Sequence, residues 1–195
     1  MKKLYDLLVN LWFLKSKVTN FIKLSLFKVK TGKNLKINGG LFLKGRGLLE
    51  VGDDVTINSN YFFNPIGGQT FTSIVVGKNA KLSIGDRVGI SNTAIYCAQE
   101  IVIKNNVLIG GDCKIYDTDF HSVKIEDRLA IPEQNIQTKP VFIASGVFIG
   151  TGSIILKGVK IGENSVVAAG SVVSKSIPAN EIWGGNPIKF IKRII

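Results

Sequence analysis

Residues 141–175 read VFIASGVFIGTGSIILKGVKIGENSVVAAGSVVSK, and Ile143, Ile149, Ile155, Ile161, Val167 and Val173 recur there every six residues without a slip. Two places before each stand Val141, Val147, Ser153, Val159, Ser165 and Ser171. A helix needs apolar residues three and four apart, so a strict six is not helical. It suits a strand of two or three residues followed by a tight turn. Three such units close a triangular coil of about 18 residues, and stacked coils give parallel sheets around an aliphatic interior. The aliphatic residue of each unit points inward, where β-branching favours extended backbone. Gly and Asn belong at the corners, because positive φ costs them little.

The same period runs upstream with slips between blocks. Ile103, Ile109 and Ile115 form one run, with Ile101, Val107 and Cys113 two places before. Ile84 and Ile90, preceded by Leu82 and Val88, form another, and Val51 and Ile57 begin an earlier one. Two segments stand outside the period. Residues 122–140, SVKIEDRLAIPEQNIQTKP, directly follow a histidine, and so long an insertion in a compact domain is usually functional. At the start, Leu7, Leu8, Leu11, Trp12, Phe13 and Leu14, then Phe21, Ile22, Leu24, Leu26 and Phe27, suggest one or two helices with apolar faces. The expected plan is a basic amphipathic helical segment (1–31), an all-β coil domain (32–182) carrying the loop 122–140, and a C-terminal tail (183–195).

The 195 residues suffice for one sizeable domain and an appendage. The formal charge of +11 is concentrated: residues 1–36 hold nine lysines against Asp6 alone, and the rest is nearly balanced. No DNA or RNA recognition motif accompanies it, so no nucleic-acid partner is expected. The basic, apolar start can lie on an anionic membrane surface or cap the open end of the coil, and both readings stand. It has no small-residue cleavage site, and Lys15, Lys17, Lys23 and Lys28 break its apolar runs, so neither a signal peptide nor a membrane span fits. Cys97 and Cys113 lack zinc or redox spacing and read as buried thiols of a cytoplasmic protein. With a single histidine, a three-histidine zinc centre is excluded, and no metal is expected.

VGDDVTI (51–57), IGDRVGI (84–90), VFIGTGSIIL (147–156) and IGENSVVAAGSVV (161–173) resemble the hexapeptide-repeat acyltransferases, in particular the sugar O-acetyltransferase branch. The resemblance covers roughly residues 45–195. It implies a left-handed parallel β-helix, acetyl-CoA as co-substrate, a sugar or glycan acceptor, and a homotrimer with active sites between subunits. A basic N-terminus suggests synthesis of surface polysaccharide or lipopolysaccharide, with the protein cytoplasmic and peripheral on the membrane. Acetylation of an amino sugar or small molecule, and a β-helix serving only assembly, are the alternatives.

IYDTDFH (115–121) resembles the family segment that ends in the catalytic histidine. His121 is then the general base, taking the proton of a sugar hydroxyl as it attacks the thioester. Asp117 and Asp119 are the candidates to orient it, and on an extended strand Asp119 would share its face. Asn92, in GISNTAI, is placed to meet the acceptor or the oxyanion. By resemblance Phe148, where many relatives have Trp, meets the coenzyme, and Thr151, Ala169 and Gly170 line its pantetheine. Ser174 and Lys175 match the nucleotide end, and Lys189 and Lys192 match cations for the phosphates.

Overall fold

The computed structural model describes residues 2–195, with side chains from residue 13 onward. One helix, α1 (Lys2–Leu26), precedes the coil. The first coil is β1 (Lys30–Thr31), β2 (Lys36–Gly39) and β3 (Phe42–Gly45); the second is β4 (Leu48–Val51), β5 (Thr56–Ser59) and β6 (Ser73–Val76). The third is β7 (Lys81–Ile84), β8 (Gly89–Ser91) and β9 (Ala94–Cys97); the fourth is β10 (Glu100–Ile103), β11 (Leu108–Ile109) and β12 (Lys114–Tyr116). The loop helix α2 (Ile125–Leu129) intervenes. The fifth coil is β13 (Val141–Ile143), β14 (Phe148–Ile149) and β15 (Ile154–Ile155); the sixth is β16 (Lys160–Ile161), β17 (Val166–Val167) and β18 (Val172–Val173). A terminal hairpin, β19 (Glu181–Gly184) and β20 (Lys189–Arg193), extends the second face.

Each strand pairs in parallel with the strand three places on, so the coil has three flat faces: β1 to β16, β2 to β17, and β3 to β18. The all-β, left-handed parallel β-helix is as the repeat and the resemblance led one to expect. Ile143 pairs in register with Ile161, eighteen residues on, which is three units of six. Upstream, Ile84 pairs with Ile103 at nineteen, so one extra corner residue accounts for the slip there. Ile101 pairs with Val141 across the long loop, and Leu49 with Leu82 across a shorter insertion at 60–72.

Ile143, Ile149, Ile155, Ile161, Val167 and Val173 are all fully buried. Each such burial contributes roughly 2–3 kcal/mol. The small residues of the minor phase are equally buried: Ser153, Ser165 and Ser171 bond to the carbonyls of Ala168, Pro178 and Ala168. One corner is held by a ladder in which each coil's side chain accepts an N–H of the coil before. Asp53 takes Lys33 N–H at 2.6 Å, Asp86 takes Asp53 N–H at 2.9 Å, and Asn105 takes Asp86 N–H at 2.9 Å. Gly85 stands beside that ladder because any Cβ there would lie 2.3 Å from Asn105 Oδ1.

Of the one or two helices expected, the chain forms one. Its inner side carries Ser16 and Asn20, both buried, with Leu24 and Phe27 packed on the core. Asn20 donates to Gly39 C=O (2.8 Å) and accepts from Leu41 N–H (3.0 Å), while Lys23 Nζ donates to Leu41 C=O (2.7 Å). The helix thereby satisfies backbone groups of the first coil that no further coil covers. The side chains of Leu7, Leu8, Leu11 and Trp12 lie outside the described residues.

Candidate active site

At Asp117 the inward phase ends and the chain leaves the coil. Thr118 and Thr138 form an antiparallel bridge, and Asp119 N–H donates to Gln137 C=O (3.0 Å), so the loop has a two-stranded neck. Beyond it the chain turns at Phe120, a non-glycine residue with φ of 64°. The Phe120 ring packs edge-on against Tyr96 (4.8 Å) and Tyr116 (5.0 Å), which stand in register on neighbouring coils. His121 follows, with its side chain 71% exposed. The aromatic cluster anchors the turn that precedes His121, whose ring is left exposed.

His121 Nδ1 lies 2.9 Å from Glu133 Oε2, and Glu133 Oε1 accepts Ser122 N–H at 2.8 Å. A carboxylate at Nδ1 makes that nitrogen the donor and leaves Nε2 with the lone pair. The loop around them is closely tied. Ser122 Oγ donates to Asp127 Oδ2 (2.9 Å), Asn135 Nδ2 donates to Asp127 Oδ1 (2.9 Å), and Arg128 Nη1 donates to Ser122 C=O (2.7 Å).

The structure does not bring Asp117 or Asp119 to the ring. Asp117 points inward and is fully buried, accepting the N–H groups of Ala98, Gln99 and Glu100 at 2.6, 2.7 and 2.8 Å. Asp119 pairs with Lys157 Nζ at 2.6 Å. Asp119 and His121 would share a face only on continuous strand, and the left-handed Phe120 between them ends the alternation. Glu133 carries no repeat phase, twelve residues downstream, so the sequence offered no signal beyond its place in the insertion.

Asn92 turns the corner between β8 and β9 with φ of 43° and is 2% exposed. Its Nδ2 donates to Asn64 C=O (3.0 Å), while its Oδ1 has no partner among the described residues. It lines a cavity of about 410 Å³ with Phe42, Gln69, Phe71, Asp112 and Lys114. Thr151 and Gly170 stack on the corresponding corner of later coils, through Gly170 N–H to Thr151 C=O (2.8 Å), and Ala169 is exposed beside them. Phe148 lies half-exposed on β14, in register with Leu108. Ser174 and Lys175 follow β18, and Lys175 Nζ sits 5.1 Å over the Trp183 ring of the terminal hairpin. Lys189 stands opposite Gly184 in that hairpin and Lys192 opposite Ile182, on the side of the ribbon away from Trp183 and Phe190. Trp183 escaped the sequence reading.

Both cysteines are buried and free. Burial first, and the charge of Asp117 next, push the Cys97 thiol up to about 12; burial raises Cys113 as well. Neither is available as a thiolate acyl carrier. No cluster of metal-ligating side chains occurs among the described residues.

The Glu133 carboxyl is held below the ordinary carboxylate range, first by its bond with His121 and then by Ser122 N–H. A carboxyl lowered by folding contributes stability above its unfolded value and loses it as pH falls through the lowered one. The loop is therefore expected to stay ordered at neutral pH and loosen only in acid. Amide exchange at Ser122 should report this, and Glu133→Gln should speed that exchange and flatten its dependence on acid. Unchanged exchange in the variant would mean that the neck alone orders the loop.

The three-faced coil, with a histidine-bearing loop leaving its fourth turn, defines a protein of the left-handed β-helix class. Residues 140–175 match the family model described as bacterial transferase hexapeptide (six repeats). Galactoside O-acetyltransferase of Lactococcus lactis is 34% identical over 138 residues, which is 71% of this chain and 62% of the relative. A hexapeptide-repeat acetyltransferase of Vibrio cholerae, solved with acetyl coenzyme A, is 34% identical with a TM-score of 0.54, covering 58% of this chain and 61% of that one. A mutant of AntD, an N-acyltransferase from Bacillus cereus in complex with dTDP and coenzyme A, is 26% identical with a TM-score of 0.68, covering 85% and 84%. The chain spans about half the length of the curated relatives it matches. Residues 140–175 thus carry the repeat of the hexapeptide transferases, and the fold of the whole chain is similar to theirs.

Proposed function

We propose that the chain transfers an acetyl group from acetyl-CoA to a sugar hydroxyl, in the building of surface polysaccharide or lipopolysaccharide, with His121 as general base. The observation that carries this is the exposed imidazole whose Nδ1 is held by Glu133 at 2.9 Å. The hydroxyl oxygen attacks the thioester carbonyl while its proton passes to Nε2. The tetrahedral intermediate then expels the thiolate of coenzyme A, which takes the proton back from the imidazolium. Glu133 supports the imidazolium between those steps and keeps the ring in one tautomer. Transfer is direct, since neither cysteine supplies a thiolate.

Asn92 Oδ1 is a buried acceptor without a donor among the described residues, and an acceptor oxygen does not suit an oxyanion. On this reading the cavity beside Phe42 and Phe71 receives part of the acceptor. Thr151, Ala169 and Gly170 face the pantetheine, Phe148 gives it apolar contact, and Ser174, Lys175, Lys189 and Lys192 meet the nucleotide and its phosphates. The partner subunits are two further copies. Leu108 and Phe148 form an exposed apolar strip on a flat sheet face, and a neighbouring coil in a homotrimer would cover it. Acetyl-CoA as the donor fits a reaction in the cytoplasm.

A second reading, transfer to an amino group of a nucleotide sugar, is favoured by the likeness to an N-acyltransferase. The two separate in one assay. Thiol release from acetyl-CoA is followed against sugars, amino nucleotide sugars and extracted glycans. Turnover with hydroxyl acceptors supports O-acetylation; turnover with amines alone replaces it with the second reading. Failure to bind coenzyme A at all would leave only an assembly role.

A further inference from the structure

The polarity of α1 is inverted for a surface helix. Its buried side carries Ser16 and Asn20, whereas Leu14, Val18, Phe21, Ile22 and Leu26 face outward, with Phe21 73% and Leu26 75% exposed. These five fall on one stripe, at spacings of three, four and eight that a 3.6-residue turn brings together. Lys17 flanks the stripe on one side, and Lys15 falls within its other margin, between the bearings of Ile22 and Leu26; both are exposed. On the other side of the helix Phe13 packs against Phe62 (6.5 Å) and Phe63 (4.7 Å), and in the same loop Tyr61 and Ile66 are exposed. Beside the stripe opens a groove of about 690 Å³, lined by Lys17, Phe21, Leu24 and Lys36 among others, so cations sit next to apolar surface again.

We propose that this face of α1 rests on an anionic lipid bilayer, lying in the interface plane without crossing it. No described helix is long and apolar enough to cross. An apolar stripe with exposed lysines at its margins matches the boundary between acyl chains and headgroups, where lysine stems lie along the apolar layer and their charges reach phosphate. A second copy meeting this face with its own α1 is the poorer occupant: the segment is equally basic, so two such faces repel where an anionic headgroup layer attracts. The helix has no role in the proposed chemistry, so this inference stands or falls apart from the transferase reading.

The test is sedimentation of the full chain with vesicles of phosphatidylglycerol and phosphatidylcholine in equal parts, and with phosphatidylcholine alone. Wild type is compared with Val18→Asp/Phe21→Asp and with Lys15→Glu/Lys17→Glu, and the mass of each is measured by light scattering. These side chains are exposed, so circular dichroism should find the fold intact. The expected result is binding to anionic vesicles that weakens at high salt and falls at least about tenfold in either variant, with mass unchanged. Wild type that sediments with neither vesicle, or equally with both, would overturn the proposal. So would a Val18→Asp/Phe21→Asp variant of smaller mass, which would make this face a contact between copies.

Discussion

Replacing His121 with alanine is expected to lower kcat/KM for acetyl transfer by about 10²- to 10⁴-fold, the usual contribution of a positioned general base. The loss should fall on kcat, because the imidazole acts on the proton in flight and not on the bound coenzyme. Affinity for coenzyme A, measured by calorimetry, should stay within about twofold of wild type. The fold should be untouched, since the side chain is 71% exposed and bonds only to Glu133 among the described residues. A variant with full kcat would remove His121 from the mechanism. One that lost coenzyme binding instead would make it a binding residue.

Asp117→Ala is expected to destabilise the chain by about 3 kcal/mol, although the residue touches no proposed substrate. Its carboxylate accepts three backbone N–H groups at one corner, where charged acceptors make the stronger hydrogen bonds. That corner lies in the third coil, where the repeat runs one residue long, so its extra backbone is held by a side chain of the coil above. The donors are part-buried, so water replaces some of the loss and holds the figure below the sum of three full bonds. Urea unfolding measures it. A variant within about 1 kcal/mol of wild type would show that water serves the corner as well as the carboxylate. The buried Cys97 offers a second readout: its thiol sits 3.7 Å from Asp117 Oδ2, and removing that charge should bring its raised value down.

How far the sequence reached differs between coil and site. The coil was legible because its constraint is periodic and strict: every sixth residue from Ile143 to Val173 is wholly buried, and a one-place slip would turn all of them to solvent. The single histidine at the mouth of the one long unphased insertion was legible for the same reason, as a break in the pattern. The partner of that histidine was not. Asp119 was read by strand alternation, and a single left-handed residue, Phe120, removed the alternation.

By itself, then, the sequence determined the three-sided coil, its buried aliphatic ladder, the unphased loop 122–140 behind His121 and the concentration of lysines in residues 1–36. Tertiary structure alone decided that Glu133 meets His121, that Asp117 staples a corner, that Lys175 joins the terminal hairpin, and that α1 turns its polar residues inward. The physical reason is the range of the forces involved. Burial in a repeating coil is settled by residues six apart, and the pattern repeats often enough to be read. A loop folded on its own hydrogen bonds, or a helix docked on unsatisfied backbone groups, depends on contacts between residues far apart in the chain that carry no period.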